Sequence, residues 1–486
     1  MSKRPVVIGL EIHLQLKTKT KLFCNCSTDY IGATPNTNVC PICLAVPGTL
    51  PVVNDHAVEL AIRMGLGLHC KICDNTRFHR KHYFYADLPS AYQVTQYTHA
   101  IAQGGYLDIE VDGQKKRVHL DHLHLEEDAG KLVHPTSDGR LAGAAYSLVD
   151  YNRGGCPLSE IVSMPDMSSA KEAVAYVTQI RQLARYLGVS DGEMESGSLR
   201  CDVNVSLSNP DGSFGTRIEL KNINSLRSIE RALDYEIARQ NKVLDTGGTL
   251  VQETRMWDDA AGVTRSMRNK EGAKDYRYYA EMNLAPMSAK PDYVTKIEKT
   301  LPEMPWDKRE RFASQYGFSK DDVALLTEDR QLADYFETVA RESGSPLRAC
   351  NWIKTEVLRI LKEQDKTIAD FSVCPVCLGK LIAKVEKKDL SNTQAKDVFA
   401  KMIEKNLSLD EAIKKIGTIG HLTGEKLFDI ISGVLRDNAD AVEFIKSGKD
   451  KKGAKLKFLQ GLVMRETRGN ADIAEVSQTV YKLLGL

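Results

Sequence analysis

The 486-residue chain has no run of about 18 apolar residues, so it offers no membrane-spanning helix. Its first residues, Met-Ser-Lys-Arg-Pro, hold no apolar core of the kind that directs secretion, and a cytoplasmic protein is expected. An excess of either charge is also missing. Sixty-six Lys and Arg stand against 65 Asp and Glu, which argues against a surface coated for non-specific nucleic-acid binding. No internal repeat or low-complexity block is evident.

What is present is the composition of an ordinary soluble globular protein, 42% apolar and 27% charged. The length exceeds the limit of roughly 250 to 300 residues for one core, so two or three domains are expected. Charge is uneven locally. From Lys446 to Arg468 eight basic residues face two acidic ones, with Lys449, Lys451, Lys452, Lys455 and Lys457 close together. Such a segment can follow a phosphate backbone or be a solvated loop.

Eleven cysteines in a cytoplasmic chain point to metal or thiol chemistry rather than a disulfide frame. Cys24-Asn-Cys26 and Cys40-Pro-Ile-Cys43 form two knuckles thirteen residues apart, a spacing that lets four thiolates close a tetrahedral zinc site. With all four ligands cysteine, no position stays open, so the zinc is expected to brace the loop 24–43 rather than catalyse. Cys70 and Cys73, and Cys374 and Cys377, each lack a nearby second pair and are expected to be free thiols.

Up to about residue 225 the chain sets carboxylates, histidine and amides into short apolar runs around Glu11 and His13, Glu126 to Asp128, Asp150 to Arg153, Glu160, Arg200 to Asn204, and Glu219 to Asn224. Several alternate with period two, so their charged residues share one face of a sheet. A desolvated like-charge cluster is costly without a cation among the acids. Carboxylate oxygens with one imidazole suit magnesium or manganese, and magnesium commonly bridges to substrate phosphates. Phosphoryl transfer is therefore the expected chemistry.

Helical periodicity interrupts this region at 55–66 and 169–186, and a longer amphipathic helix is expected at 225–244. Proline-marked turns around Pro286, Pro291, Pro302 and Pro305 form the clearest linker, and helices dominate afterwards. A second joint lies at 417–424. Expected domains are 1–293, 294–410 and 411–486.

Several strings in this chain, Gly9-Leu-Glu-Ile-His13, Arg80-Lys-His-Tyr-Phe-Tyr85, Leu125-Glu-Glu-Asp-Ala-Gly130, Gly197-Ser-Leu-Arg-Cys-Asp-Val-Asn204 and Val463-Met-Arg-Glu-Thr-Arg-Gly469 among them, are long and ordered. Over essentially its whole length the chain resembles the B-subunit family of the aspartyl/glutamyl-tRNA amidotransferases. The resemblance implies an α+β fold, with a glutamine-synthetase-like cradle domain built on antiparallel sheet, then an all-α domain and a small helical tail that contacts tRNA. It implies a ligase that activates the side-chain carboxylate of Asp-tRNA(Asn) or Glu-tRNA(Gln) with ATP and amidates it. The ammonia would come from glutamine hydrolysed by an amidase, the A subunit, with a small C subunit to make up the heterotrimer. No Ser-Ser-Lys amidase stretch occurs here, which suits that division of labour.

Carried onto this sequence, the family's magnesium ligands correspond to Glu11, His13, Glu127, Glu160 and Glu219. His13, Glu127 and Glu160 are assigned to a more permanent ion, and Glu11, Glu127 and Glu219 to one arriving with nucleotide. Lys81, Arg153 and Lys221 are candidates for holding phosphates, since positive groups near the transferring oxygens stabilise charge that develops there. Asp202 and Asn204 alternate on a strand and are candidates for orienting ligands; Tyr83 and Tyr85 are expected to pack. Two departures from the family pattern are Cys374-Pro-Val-Cys377, where a plain helix start is usual, and Ala471-Asp-Ile-Ala in place of Ala-Asn-Pro. Zinc thus rests on spacing alone. The competing readings are the archaeal subunit serving only Glu-tRNA(Gln), for whose inserted domain 202–275 leaves little room, and an inert zinc-braced tRNA-binding scaffold.

Overall fold

The computed structural model describes residues 4–136, 143–267, 276–416, 424–448, 450, 453–467 and 471–485. The expected joint at 417–424 lies almost wholly outside them, as do Lys449, Lys451 and Lys452. Two compact units divide after Pro305. The expected boundary at 293 falls inside a helix, Pro291–Glu298, which packs in the first unit.

The first unit is built on β1 (Val6–Gln15), β2 (His79–His82), β3 (Tyr92–Thr95), β4 (Gln114–Glu127), β5 (Pro157–Ser163), β6 (Leu199–Leu207), β7 (Ile218–Lys221), β8 (Glu253–Asp258), β9 (Val263–Ser266) and β10 (Tyr279–Ala280). Their order across the sheet is β9-β8-β7-β6-β1-β5-β4-β3-β2-β10, with further short strands off this path. Neighbours run antiparallel except β7 and β8, which are parallel. The sheet is therefore mixed, not purely antiparallel; the long helix between β7 and β8 carries the chain back to enter β8 in the same direction, as parallel pairing requires.

That helix is the third of three on the sheet's apolar side: α1 (Asp55–Gly67), α2 (Ala170–Tyr186) and α3 (Leu226–Asp245). Each starts where a side chain satisfies a free backbone N–H. Asn54 accepts from His56 and Ala57, Ser169 from Glu172, and Ser225 from Ser228. Ile8, Leu10, Ile12 and Leu14 of β1 point toward this layer and are buried, with Ala173, Val177, Ile180, Ile229 and Leu233 of the helices. The alternate residues of β1, Glu11 and His13, then face away from the core, so one sheet face is left open to chemistry.

The second unit is helical among its described residues. One apolar core gathers Phe312, Phe336, Trp352 and Phe399, and another Leu427, Ile431, Leu459 and Val480. Within the first of these, α4 (Arg330–Ser343) packs on α5 (Pro375–Glu386). The approach is close at Gly379, where a Cβ would lie 2.5 Å from Glu342 Cβ. Cys374 and Cys377, expected as free thiols, are joined by a disulfide, because the N-cap of α5 and a residue of its first turn lie with Cα atoms 5.2 Å apart. Cys70 and Cys73 are free.

Candidate functional site

Strand register carries the site. Residues paired across an antiparallel ladder point to the same face. His13 of β1 pairs with Glu160 of β5 and Arg200 of β6, while Glu11 pairs with Asp202. Glu160 pairs with His124 of β4, and Glu126 with Thr95 of β3. Asn204 pairs with Glu219 of β7. A continuous row of polar side chains thus crosses six neighbouring strands, from β7 to β3, on the open face.

Two groups of ligand-type atoms form within this row, each with its members inside 4.8 Å of one another: His13 with Glu126 and Glu160, and Glu11 with Asp202 and Glu219. His13 Nε2 lies 3.4 Å from both Glu126 Oε1 and Glu160 Oε2. In the second group Asn204 donates to Glu11 at 3.0 Å and Thr254 to Glu219 at 2.7 Å. Lys221 bridges Asp202 at 2.8 Å and Glu219 at 3.0 Å. Oxygen donors with one imidazole suit a hard divalent cation, and the outer hydrogen bonds orient the carboxylates as such a site requires.

Glu127, expected in both magnesium sets, belongs to neither. Its carboxylate accepts the Val94 N–H at 2.9 Å and lines a separate cavity of about 240 Å³ with Cys43, Tyr92 and Glu281. Adjacent residues of a strand point to opposite faces, so Glu126 and Glu127 cannot both look into the same cluster. Burial, with Glu126 and Glu281 nearby, raises Glu127 to about 7.

Glu126 and His124 are what sequence reasoning missed: they alternate with the apolar Leu123 and Leu125, but which of Glu126 and Glu127 joins the row depends on how β4 pairs with β5. His124 Nε2 lies 3.1 Å from Glu160 Oε2, His122 and His124 are 3.0 Å apart, and Asp121 meets His122 at 2.7 Å. Burial favours neutral imidazoles, but Glu160 and Glu126 outweigh it and raise His13 to about 9 and His124 to about 10. The same histidines hold Glu160 well below the usual carboxylate range against its own burial. Burial and Glu160 raise Glu11.

A cleft of about 750 Å³ opens over these groups, lined among others by Glu11, Lys81, His124, Glu126, Glu160 and Tyr278. Two tyrosines, Tyr97 and Tyr278, stand among its mostly polar lining residues. Tyr97 stacks on Tyr278 at 3.9 Å, and Lys81 lies 5.0 Å from the centre of the Tyr276 ring. Tyr83 packs edge-on against both Tyr85 and Tyr276. Arg153, the third phosphate candidate, is engaged elsewhere: it donates to the carbonyls of Ala129 at 3.0 Å and Gly130 at 2.7 Å, and lies 3.6 Å from Asp128. It fixes a loop and is not among the residues lining the cleft.

Apart from this face, Cys24, Cys26, Cys40 and Cys43 bring their four sulfurs within 4.8 Å of one another. Cys43 Sγ is 3.9 Å from that of Cys40 and 4.0 Å from that of Cys26. Sulfurs at about 2.3 Å from one tetrahedral ion would be about 3.8 Å apart, so the group fits a metal with little movement. A Cys24 hydrogen bond, the Cys40 N–H and the Lys21 ammonium 3.6 Å away hold Cys43 below the usual thiol range against its burial.

Comparison with known proteins places these features. Residues 6–295 match the model of the GatB/GatE catalytic domain and residues 334–484 that of the GatB domain. The chain is 45% identical over 480 residues to the aspartyl/glutamyl-tRNA(Asn/Gln) amidotransferase B subunit of Carboxydothermus hydrogenoformans, covering 98% of each chain. It is 44% identical over 480 residues to that of Thermodesulfovibrio yellowstonii, again 98% of each, and 46% identical over 472 residues to that of Thermoanaerobacter pseudethanolicus, 97% of each.

Proposed function

Because the chain belongs to the family of aspartyl/glutamyl-tRNA(Asn/Gln) amidotransferase B subunits, we propose that its open sheet face converts Asp-tRNA(Asn) or Glu-tRNA(Gln) to the amide. The side-chain carboxylate takes a phosphoryl group from ATP, and ammonia then displaces phosphate. The observation that carries this reading is the pair of acidic clusters on one face, beside a cleft that holds Lys81. A carboxylate is a poor acyl donor until its oxygen becomes part of a phosphate leaving group, and a site for that transfer must gather phosphates and a carboxylate against their repulsion.

Magnesium, held by His13, Glu126 and Glu160 and by Glu11, Asp202 and Glu219, would supply the neutralising charge. The chain's own residues do the rest. Lys81 and Lys221 hold phosphate oxygens, His124 keeps Glu160 oriented toward His13, and the Tyr97 and Tyr278 wall keeps water from the acyl phosphate. The A subunit, a glutaminase, supplies ammonia, and the small C subunit makes up the heterotrimer. No helix among the described residues is long and apolar enough to cross a membrane, which suits a cytoplasmic site of action. The cradle likeness to glutamine synthetase belongs to this proposal, since both chemistries phosphorylate a carboxylate and then admit ammonia.

The test combines the chain with its A and C partners, either tRNA, ATP, magnesium and free ammonium, and follows the amino acid released from the tRNA. Ammonium bypasses the glutaminase, so Asn or Gln appearing only with ATP supports the proposal. No amide from either tRNA, with tRNA bound, would leave the inert scaffold.

The tail is proposed to meet the tRNA. Lys455 and Lys457 are exposed on the Ala454–Glu466 helix. Replacing both with Gln should weaken tRNA binding and flatten the plot of log affinity against log salt by about one unit for each phosphate no longer neutralised. An unchanged slope in filter binding removes this role.

The four-cysteine cluster is proposed to hold structural zinc. Elemental analysis of the full chain should find about one ion, and the Cys40→Ser, Cys43→Ser double variant well under half of that. Because metal binding there would be folding free energy, Tm should fall with the zinc. A metal-free chain with unaltered Tm refutes the brace.

A further inference from the structure

We propose that Cys374 and Cys377 form a reversible dithiol–disulfide site at the start of α5, with Cys374 as its reactive thiolate. The C-x-x-C spacing occurs three times in the chain, at Cys40–Cys43, Cys70–Cys73 and Cys374–Cys377. Only the last is bonded, and the other nine cysteines are all free. It closes a loop of sequence separation 3. So short a loop restricts the unfolded chain least, which makes a stabilising brace a poor account of the bond.

Position gives a better one. Cys374 is the N-cap of α5, a helix of twelve residues, and its Sγ accepts the Cys377 N–H at 3.1 Å. Pro375 at the first helical position has no N–H of its own, and the helix N-terminus favours negative charge. A sulfur held there is stabilised as a thiolate. Cys374 is exposed while Cys377 is half-buried against the helical core. The frame around them is fixed: Leu378, Leu381 and Ile382 are buried, and the Val373 carbonyl accepts the Tyr335 hydroxyl at 3.0 Å. The two sulfurs therefore stay within reach of one another whether bonded or not.

The reductant is a dithiol. Its thiolate attacks Cys374 Sγ, a mixed disulfide forms, and the bond to Cys377 breaks, Cys377 leaving as a thiolate that takes up a proton. The reductant's second thiol, losing its proton, attacks its own sulfur in the mixed disulfide, so that the reductant closes to a disulfide and Cys374 leaves as the capped thiolate. Two electrons pass to the protein. A low-pKa sulfur is the better leaving group, so the second step is favoured by the cap.

The full chain equilibrated in dithiothreitol and glutathione redox mixtures, acid-quenched, alkylated and analysed by mass spectrometry should show the 374–377 peptide passing between doubly alkylated and protected forms, with the far-ultraviolet spectrum unchanged. In the reduced chain Cys374 should react with iodoacetamide at pH 7 at least about ten times faster than Cys377. Glutathione disulfide should cap Cys374 in Cys377→Ser but leave Cys377 of Cys374→Ser unmodified. A pair that stays oxidised until the chain unfolds, one that never closes in oxidising mixtures, or two thiols of equal rate would each overturn the proposal.

Discussion

Glu126→Gln should lower ATP-dependent amide formation by at least about 100-fold, the scale of losing a charged group that acts on developing charge. It should also weaken manganese binding measured by electron paramagnetic resonance, while Glu127→Gln leaves that binding within about two-fold. The contrast follows from geometry. Glu126 lies 3.4 Å from His13 within the ligand group, whereas Glu127 accepts the Val94 N–H on the other face. Removing a buried carboxylate from between His13 and His124 also strips those imidazoles of a counter-charge. Manganese binding that depended on Glu127 and tolerated Glu126→Gln would overturn this register.

The choice between these two residues shows where sequence reasoning stops. Period two on β1 is unbroken, so Glu11 and His13 fall together with Ile8, Leu10, Ile12 and Leu14 on the opposite face. On β4 the buried apolar residues are Val118 and Leu120, then Leu123 and Leu125. Alternation run forward from Val118 and Leu120 puts Glu127 on the open face. The pairing with β5 shifts between Val162 and Ser163, and the extra residue on β4 reverses the parity, which brings Glu126 there instead. A bulge of this kind is a property of two strands together.

Helices were more legible. Those expected at 55–66, 169–186 and 225–244 occur as α1, α2 and α3, because capping residues and apolar periodicity are local. Asp202 illustrates the converse. Nothing near it in sequence says that it pairs with Glu11 on one side and Lys221 on the other. The phosphate candidates divide for the same reason: Lys81 lines the cleft while Arg153 serves a loop whose carbonyls it finds only in the folded chain.

Lys221→Met tests the charge balance of the second cluster. Lys221 stands between Asp202 and Glu219, and their attraction overcomes its burial to raise its pKa. Without it the two carboxylates and Glu11 repel one another, and amide formation should fall at least about ten-fold through weakened hold on phosphate. Stability should fall by about 1 kcal/mol, a small figure because the lysine is 40% exposed and water screens the pair. Magnesium should then raise the Tm of Lys221→Met more than that of the parent, since a cation replaces the one removed. The pH dependence has a definite sign. Burial opposes ionisation of Glu219, yet Lys221 and Thr254 lower its pKa from 4.5, so the pair's contribution is full above 4.5 and fades as pH falls through the lowered value. In Lys221→Met that acid limb should flatten. Equal magnesium shifts and equal acid limbs in variant and parent would mean that Lys221 does not balance these carboxylates.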